Sequence, residues 1–251
     1  MITVICISLA EQHDRRAFMQ SQLVECGLPF RFFDAIRVDL ANGFPSIYHR
    51  TGRLNHSGVD MRAGEMGCYL SHRQVWREFL ATEEPICLVV EDDVEILPDF
   101  ARVVAALSAN PQRWEFVRLF GVFKQPGFAA SALTDRHTLV DYLEQPNGTQ
   151  GYLINRAAAR RLLEYTASMA HAIDMAIDRD WEHGVRIMGV EPAVVAHHEA
   201  FETTLGTWHK LRLPWRQKIA REYHRAGANL RKQIWLLKKR ARLRARTTSA
   251  E

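Results

Sequence analysis

Residues 85–100 read PICLVVEDDVEILPDF, and the change of character inside that stretch sets the fold class. From Ile86 to Val90 the chain is apolar without a break and rich in β-branched side chains, the pattern of a strand buried on both faces. It runs straight into Glu91, Asp92 and Asp93. In open α/β sheets ligands gather at the carboxyl ends of such strands, so these carboxylates stand where a ligand would sit. Adjacent carboxylates repel one another, and a cation between them relieves the repulsion. Hard oxygen ligands favour Mg²⁺ or Mn²⁺, the usual partners of a diphosphate. A plain acidic turn, with Val94 and Ile96 continuing the hydrophobic pattern, fits the same residues.

Working outward, residues 2–8 (ITVICIS) predict another buried strand, and residues 14–26 a helix with Gly27 at its C-cap. Arg15 and Arg16 open that helix just past the strand's end. They are either surface ion-pair partners or, because the guanidinium fork matches phosphate oxygens, contacts to a diphosphate. Residues 30–33 (FRFF) predict a second strand, which completes a βαβ unit. Residues 38–62, polar and weakly periodic, read as a long loop with short helical turns. Residues 64–80 predict a helix with a broad apolar face; Glu65 at its start is a dipole-favoured acid or a ligand to a sugar or base, and His72 inside it is more often a packed or satisfied residue than a catalyst.

Beyond the acidic turn a helix is expected at 99–108, a strand at 115–121, and short strands or a hairpin within 124–143. Gly148-Thr149-Gln150-Gly151 precedes an apolar trio and suits a loop whose backbone approaches a ligand closely. A helix at 156–167 follows. Residues 171–184 read as helical, with Asp174 and Asp178 four apart on one face. Asp178 and Asp180 are expected on a solvated face, whereas Asp174, between Ile173 and Met175, is the candidate working carboxylate. Strand pieces at 186–190 and 193–196 end in His197 and His198, which are surface residues or metal ligands.

The four cysteines show no CxxC spacing and look like reduced core residues, which suits a cytosolic protein. The opening apolar run lacks a basic leader, nothing reaches a membrane-spanning length, and there is no internal repeat. The net charge of +4 conceals an asymmetry: residues 210–246 hold 14 Lys/Arg and one acid, net +13, against −8 for residues 1–209. The expected division is therefore a body over 1–209 and a basic tail over 210–251.

Eight segments, taken in order, resemble glycosyltransferase family 25, which includes bacterial lipooligosaccharide galactosyltransferases and collagen galactosyltransferase domains. They are ISLAEQHDRRAFMQSQL, LPFRFFDAI, GEMGCYLSHRQVW, ICLVVEDDV, FVRL, GTQGYLINRAAARRLL, AIDMAI and VEPAVV, and they span about residues 1–200. The resemblance implies an α/β fold: a GT-A-like, Rossmann-type domain that binds a UDP-sugar, typically UDP-galactose, with Mn²⁺ or Mg²⁺. It implies inverting transfer of the hexose to a saccharide, such as a lipid-linked glycan. Asp93 would be the direct metal ligand with Asp92 beside it, and Glu91 or Asp92 would touch ribose or sugar. Ser8, Arg15 and Arg16 match the nucleotide-facing start, and Thr149 and Tyr152 the donor-sugar pocket. His197 and His198 match a segment that supplies a further metal ligand, and Asp174 matches the acidic position of the general base. UDP-glucose, a UDP-N-acetylhexosamine, or a non-catalytic nucleotide-sugar binder are the alternatives.

In the tail, Trp215, Ile219, Tyr223, Ala226, Leu230, Ile234, Leu237 and Ala241 recur at intervals of three and four, one apolar stripe on a long basic helix. Such a helix suits an anionic bilayer, with Trp215 and Trp235 at the interface. Packing against the acidic body is the second reading and a nucleic-acid arm the third. The first is preferred, which makes the expected location peripheral, at the cytoplasmic face of a bacterial inner membrane, with no nucleic-acid partner.

Overall fold

The computed structural model describes residues 2–198 and 215–248. The expected boundary at residues 209 and 210 lies outside them. The first βαβ unit is β1 (Val4–Ser8), α1 (His13–Glu25) and β2 (Phe30–Asp34). Gly27 follows α1 at φ +67°, a left-handed turn that glycine takes without steric cost. A 3₁₀ turn and α2 (Arg50–Ser57) interrupt the long polar stretch, and α3 runs from Ala63 to Ala81. Then come β3 (Ile86–Glu91), β4 (Val94–Ile96), α4 (Phe100–Ser108), β5 (Phe116–Arg118) and the hairpin β6 (Gly127–Ala132) and β7 (Thr138–Tyr142). The chain continues through β8 (Gly151–Asn155), α5 (Arg156–Tyr165), α6 (Ile173–Ile177), α7 (Asp180–His183), β9 (Ile187–Glu191), β10 (Val195–His197) and α8 (Trp215–Thr248).

Eight strands form one mixed sheet in the order β2-β1-β3-β8-β5-β9-β7-β6, and the expected α/β class is the class found. β2, β1 and β3 are parallel, whereas β8 runs antiparallel to β3. That arrangement decides where the site lies. The carboxyl ends of β1 and β3, at Ser8 and Glu91, and the amino end of β8, just after Thr149, meet along one edge.

The alternation of β3 supplies both faces of the core. Cys87 and Val89 pack with Met66, Tyr69, Trp76 and Phe79 of α3, while Ile86, Leu88 and Val90 pack with Met19 and Leu23 of α1 and the apolar side of α4. All four cysteines are free, with Cys6 and Cys87 buried. Among the described residues no helix is long and apolar enough to cross a membrane.

Gly67 shows how closely α3 approaches the cavity wall. A Cβ there would stand 2.4 Å from the Ile36 carbonyl oxygen, and Ser71 Oγ accepts the Ile36 N–H at 2.8 Å. Gly67→Ala must push backbone apart and is expected to cost about 1–3 kcal/mol in chemical denaturation. An unchanged midpoint would show that the 35–38 segment yields freely.

Two expectations are corrected here. Residues 171–184 are not one helix: α6 ends at Ile177 and α7 begins at Asp180, although Asp178 still caps α6 in the helical conformation, its N–H donating to the Asp174 carbonyl at 3.0 Å, so the expected four-residue spacing on one face holds. Nor are Asp178 and Asp180 solvated. Asp178 pairs with Arg118, and Asp180, 4% exposed, accepts from Gln145 Nε2 at 3.1 Å and from Lys239 Nζ at 2.6 Å.

The basic helix α8 packs on α2 and α7. Lys239 and Lys232 pair with Asp180 and Glu144, and Leu243 is buried. The packed reading of the tail is therefore what the described residues show. The contacting side carries Lys232, Trp235, Lys239 and Leu243, whereas the stripe faces away: Trp215, Ile219, Tyr223, Leu230, Ile234 and Leu237 are 46–79% exposed. Trp235, expected at a membrane interface, is half-buried with its indole N–H shielded, so it does not belong to that outward stripe.

Candidate active site

The three carboxylates of the acidic turn have separate environments. Asp92 is 8% exposed and fully engaged: Ser8 Oγ donates to its Oδ2 at 2.7 Å and Arg15 Nη1 to its Oδ1 at 3.0 Å. It ties the ends of β1 and β3 to the first turn of α1. Glu91 accepts from Thr149 Oγ1 and lies 3.2 Å from His72 Nε2, both at Oε1. Burial pushes the Glu91 carboxyl up, but its interactions with His72, Thr149 and His197 together outweigh it and leave it below the usual range.

Asp93 is the unsatisfied member. Its Oδ1 is buried with no hydrogen-bond partner among the described residues. Burial, then the charges of Glu91 and Asp92, push its carboxyl up to about 6. β10 pairs with β4 and sets His197 opposite Val94, while the His198 N–H donates to the Asp93 carbonyl at 2.9 Å. An orphaned carboxylate oxygen, with His197 lining the same cavity, is a donor set that could hold a hard divalent cation.

These groups face a cavity of about 690 Å³ that also takes in Glu65 and Asp174. Glu65 caps α3, its Oε2 accepting the Arg62 N–H at 2.9 Å. The N–H of Met175 donates to Asp174 Oδ1 at 2.7 Å. Burial raises the Asp174 carboxyl, against the lowering effects of that hydrogen bond and of Arg118. On the loop before β8, Asn147 and Gly148 take φ of +61° and +100°, and the Thr149 hydroxyl reaches Glu91.

Of the residues named from sequence, Ser8, Arg15, Glu65, Glu91, Asp92, Asp93, Thr149, Asp174 and His197 line this cavity. Three do not, and these are corrections. Arg16 turns away to the Ser8 carbonyl at 2.8 Å and to Asp34, over the Phe32 ring. Tyr152 is fully buried behind His72, so it lines no donor pocket. The ring of His198 packs on Phe18 at 4.4 Å, away from the cavity.

Sequence reasoning alone does not single out Arg118, whose buried side chain pairs with Asp178 at the end of α6. Burial pushes the Asp178 carboxyl up to about 6. For His72 the sequence favours a packed residue over a catalyst. That histidine is indeed 0% exposed, yet it abuts the cavity and contacts Glu91. A signal was present: Gly64, Gly67, Cys68, Ser71 and His72 recur at helical spacing as a small and polar stripe on an otherwise apolar helix. Cys68, His72 and Glu91 bring ligand atoms within 4.8 Å of one another. Burial holds the Cys68 thiol well above its ordinary range, which disfavours the thiolate a soft metal would need.

Residues 1–177 match the model of "Glycosyltransferase family 25 (LPS biosynthesis protein)". The lacto-N-neotetraose biosynthesis glycosyltransferase LgtB of Neisseria meningitidis serogroup B is 30% identical over 216 residues, covering 76% of this chain and 73% of that protein. A glycosyltransferase 25 family member from Aedes aegypti is 29% identical over 177 residues, and the chain spans only 28% of its length. A human relative named inactive glycosyltransferase 25 family member 3 is 32% identical over 133 residues, 46% of this chain and 21% of that one. Among solved structures, a glycosyltransferase involved in glycosylation of the major capsid of PBCV-1 aligns over 88% of this chain with a TM-score of 0.43 and 8% identity. The chain belongs to glycosyltransferase family 25.

Proposed function

We propose that this chain transfers a hexose, with inversion, from a UDP-sugar to a saccharide hydroxyl, and that UDP-galactose is the donor. The observation that carries this reading is the division of labour within one cavity. The orphaned Asp93 oxygen calls for a cation, and Asp174, on the wall of the same cavity, is a carboxylate raised toward the range of a general base. Asp174 takes the proton of the acceptor hydroxyl as that oxygen attacks the anomeric carbon, and the bond to the diphosphate breaks. Asp93 and His197 would hold Mn²⁺ or Mg²⁺, which when bound neutralises charge on the departing diphosphate. Arg15, clamped to Asp92, adds a fixed positive charge to the cavity wall.

The human relative named as inactive supports a second reading, a nucleotide-sugar binder without turnover. The test is release of UDP from UDP-galactose, UDP-glucose and UDP-N-acetylhexosamines with an oligosaccharide acceptor, each with Mn²⁺ and with EDTA. Turnover of one UDP-hexose with Mn²⁺ and none with EDTA is expected. Binding without turnover of any donor would favour the second reading.

We further propose that the acceptor is lipid-linked and that the outward stripe of α8 rests on the anionic cytoplasmic face of a membrane. Residues 215–248 include 12 Lys/Arg flanking the exposed apolar row. Because Leu230 and Leu237 are 63% and 68% exposed, Leu230→Asp with Leu237→Asp removes apolar surface without disturbing the packed side. The double variant is expected to lose at least about tenfold in binding to anionic vesicles in flotation. Equal flotation of variant and wild type would remove the stripe from membrane contact.

A further inference from the structure

His72, Tyr152 and Trp76 are all fully buried, and their polar atoms form a chain that ends on Glu91. Trp76 Nε1, which can only donate, lies 2.9 Å from Tyr152 Oη. Tyr152 Oη lies 2.8 Å from His72 Nδ1, and His72 Nε2 lies 3.2 Å from Glu91 Oε1. Counting donors leaves one arrangement in which each group is satisfied. The tyrosine oxygen accepts from Trp76 and its O–H donates to Nδ1, so the proton of a neutral imidazole sits on Nε2 and donates to Glu91.

The opposite tautomer would set an imidazole lone pair against a carboxylate oxygen and leave the tyrosine O–H without an acceptor. An imidazolium would strand that O–H as well, in a place with no exposure to water. Thr149 Oγ1 donates to the same Oε1, so two fixed donors hold one carboxylate oxygen. Glu91 Oε2 has no hydrogen bond among the described residues, at the edge of the cavity.

We propose that Trp76, Tyr152 and His72 are a positioning relay: they fix His72 as the Nε2–H tautomer, which clamps Glu91 by Oε1 and presents Oε2 to a hydroxyl of the donor's ribose or hexose. The identity of that hydroxyl rests on the UDP-sugar reading above; the relay itself does not. Its purpose is orientational. A carboxylate on a strand end can rotate, and one held at a single oxygen by two donors loses that freedom before the ligand arrives.

The test uses the full-length protein with ¹⁵N-labelled histidine, the His72 ring being assigned by its disappearance in His72→Gln. Long-range ¹H–¹⁵N correlation is expected to show Nδ1 unprotonated and Nε2 protonated in wild type. In Tyr152→Phe, which keeps the ring but removes the hydroxyl, that preference is expected to collapse to a tautomer mixture. Added Zn²⁺ is expected to leave the ring unchanged; a metal-shifted Nε2 would instead make Cys68, His72 and Glu91 a metal site and overturn the relay. Kinetically, Tyr152→Phe is expected to raise donor KM about tenfold with kcat within about twofold, the signature of lost uniform binding. His72→Gln, which retains an N–H donor toward Glu91, should keep a lower donor KM than His72→Leu. An Nδ1–H tautomer or an imidazolium in wild type overturns the proposal, as does a Tyr152→Phe protein with unchanged ring signals and unchanged KM. Wild-type protein that turns over no UDP-sugar would sink the donor reading alone, since the spectrum still decides the relay.

Discussion

Asp174→Asn is expected to bind donor as well as wild type and to transfer hexose about 10²–10⁴-fold more slowly. The substitution is close to isosteric and removes only proton-accepting capacity. Asp174 is on the cavity wall, its Oδ1 oriented by the Met175 N–H. Burial raises its carboxyl, which brings it nearer the pH at which a base both stays ionised and binds a proton usefully. The pH profile follows in sign: activity requires the ionised form, so kcat falls as pH drops through that raised value. Unchanged turnover of the variant, with unchanged donor affinity, would remove Asp174 from the chemistry.

Asp93→Asn is expected to do two opposite things. It abolishes metal-dependent donor binding, and it stabilises the metal-free fold. Burial and two carboxylate neighbours push the Asp93 carboxyl from its ordinary 3.8 up to about 6. A carboxyl raised in the folded state holds its proton more tightly there than in the unfolded chain. The fold's stability therefore falls as pH rises from about 4 to about 6, and the repulsion is fully present above that window. Relieving it at pH 7.5 is expected to add about 1–2 kcal/mol, allowing for partial solvent screening. Denaturant unfolding in EDTA at pH 7.5 and pH 4 checks this. The gain appears at the higher pH and vanishes at the lower; a variant less stable at both would contradict it.

The sequence announces its sheet more clearly than its site because strands such as 86–90 and helices such as 64–80 carry local periodic signals. The ends of β1, α1, β2, β3 and α4 fall within about two residues of where their patterns place them. Two pairs of neighbouring site candidates, Arg15 with Arg16 and His197 with His198, are split by geometry, whereas Glu91, Asp92 and Asp93 all face the cavity. Neighbours on a helix point about 100° apart, so Arg15 reaches Asp92 while Arg16 turns to Asp34. Neighbours on a strand point to opposite faces, so His197 lines the cavity while His198 packs on Phe18. The same parity sends Tyr152, paired with Val89 across β3 and β8, into the face under α3. Which member of a pair faces in depends on register with a distant strand, and no local pattern encodes that. The Arg118–Asp178 pair, sixty positions apart, is invisible for the same reason.

The tail makes the point in reverse. A stripe at helical spacing normally marks the buried side of a helix. In α8 the stripe from Trp215 to Leu237 faces outward, and the body instead holds the helix through Lys232, Lys239 and Leu243. An acidic body supplies the partners, as Asp180 and Glu144 do, and leaves Ile219, Tyr223, Leu230, Ile234 and Leu237 exposed.

The most direct test of the central claim is a thermal-unfolding panel of UDP-galactose, UDP-glucose, UDP-N-acetylhexosamines and GDP-mannose, each with Mn²⁺ and with EDTA, on wild type and Asp93→Asn. A ligand at about 100 times its dissociation constant adds roughly 2.7 kcal/mol to the folded state, which a melting curve resolves. The account predicts stabilisation by a UDP-hexose, UDP-galactose foremost, in wild type with Mn²⁺ only. No shift with any nucleotide sugar, or an equal shift in EDTA and in Asp93→Asn, would contradict it.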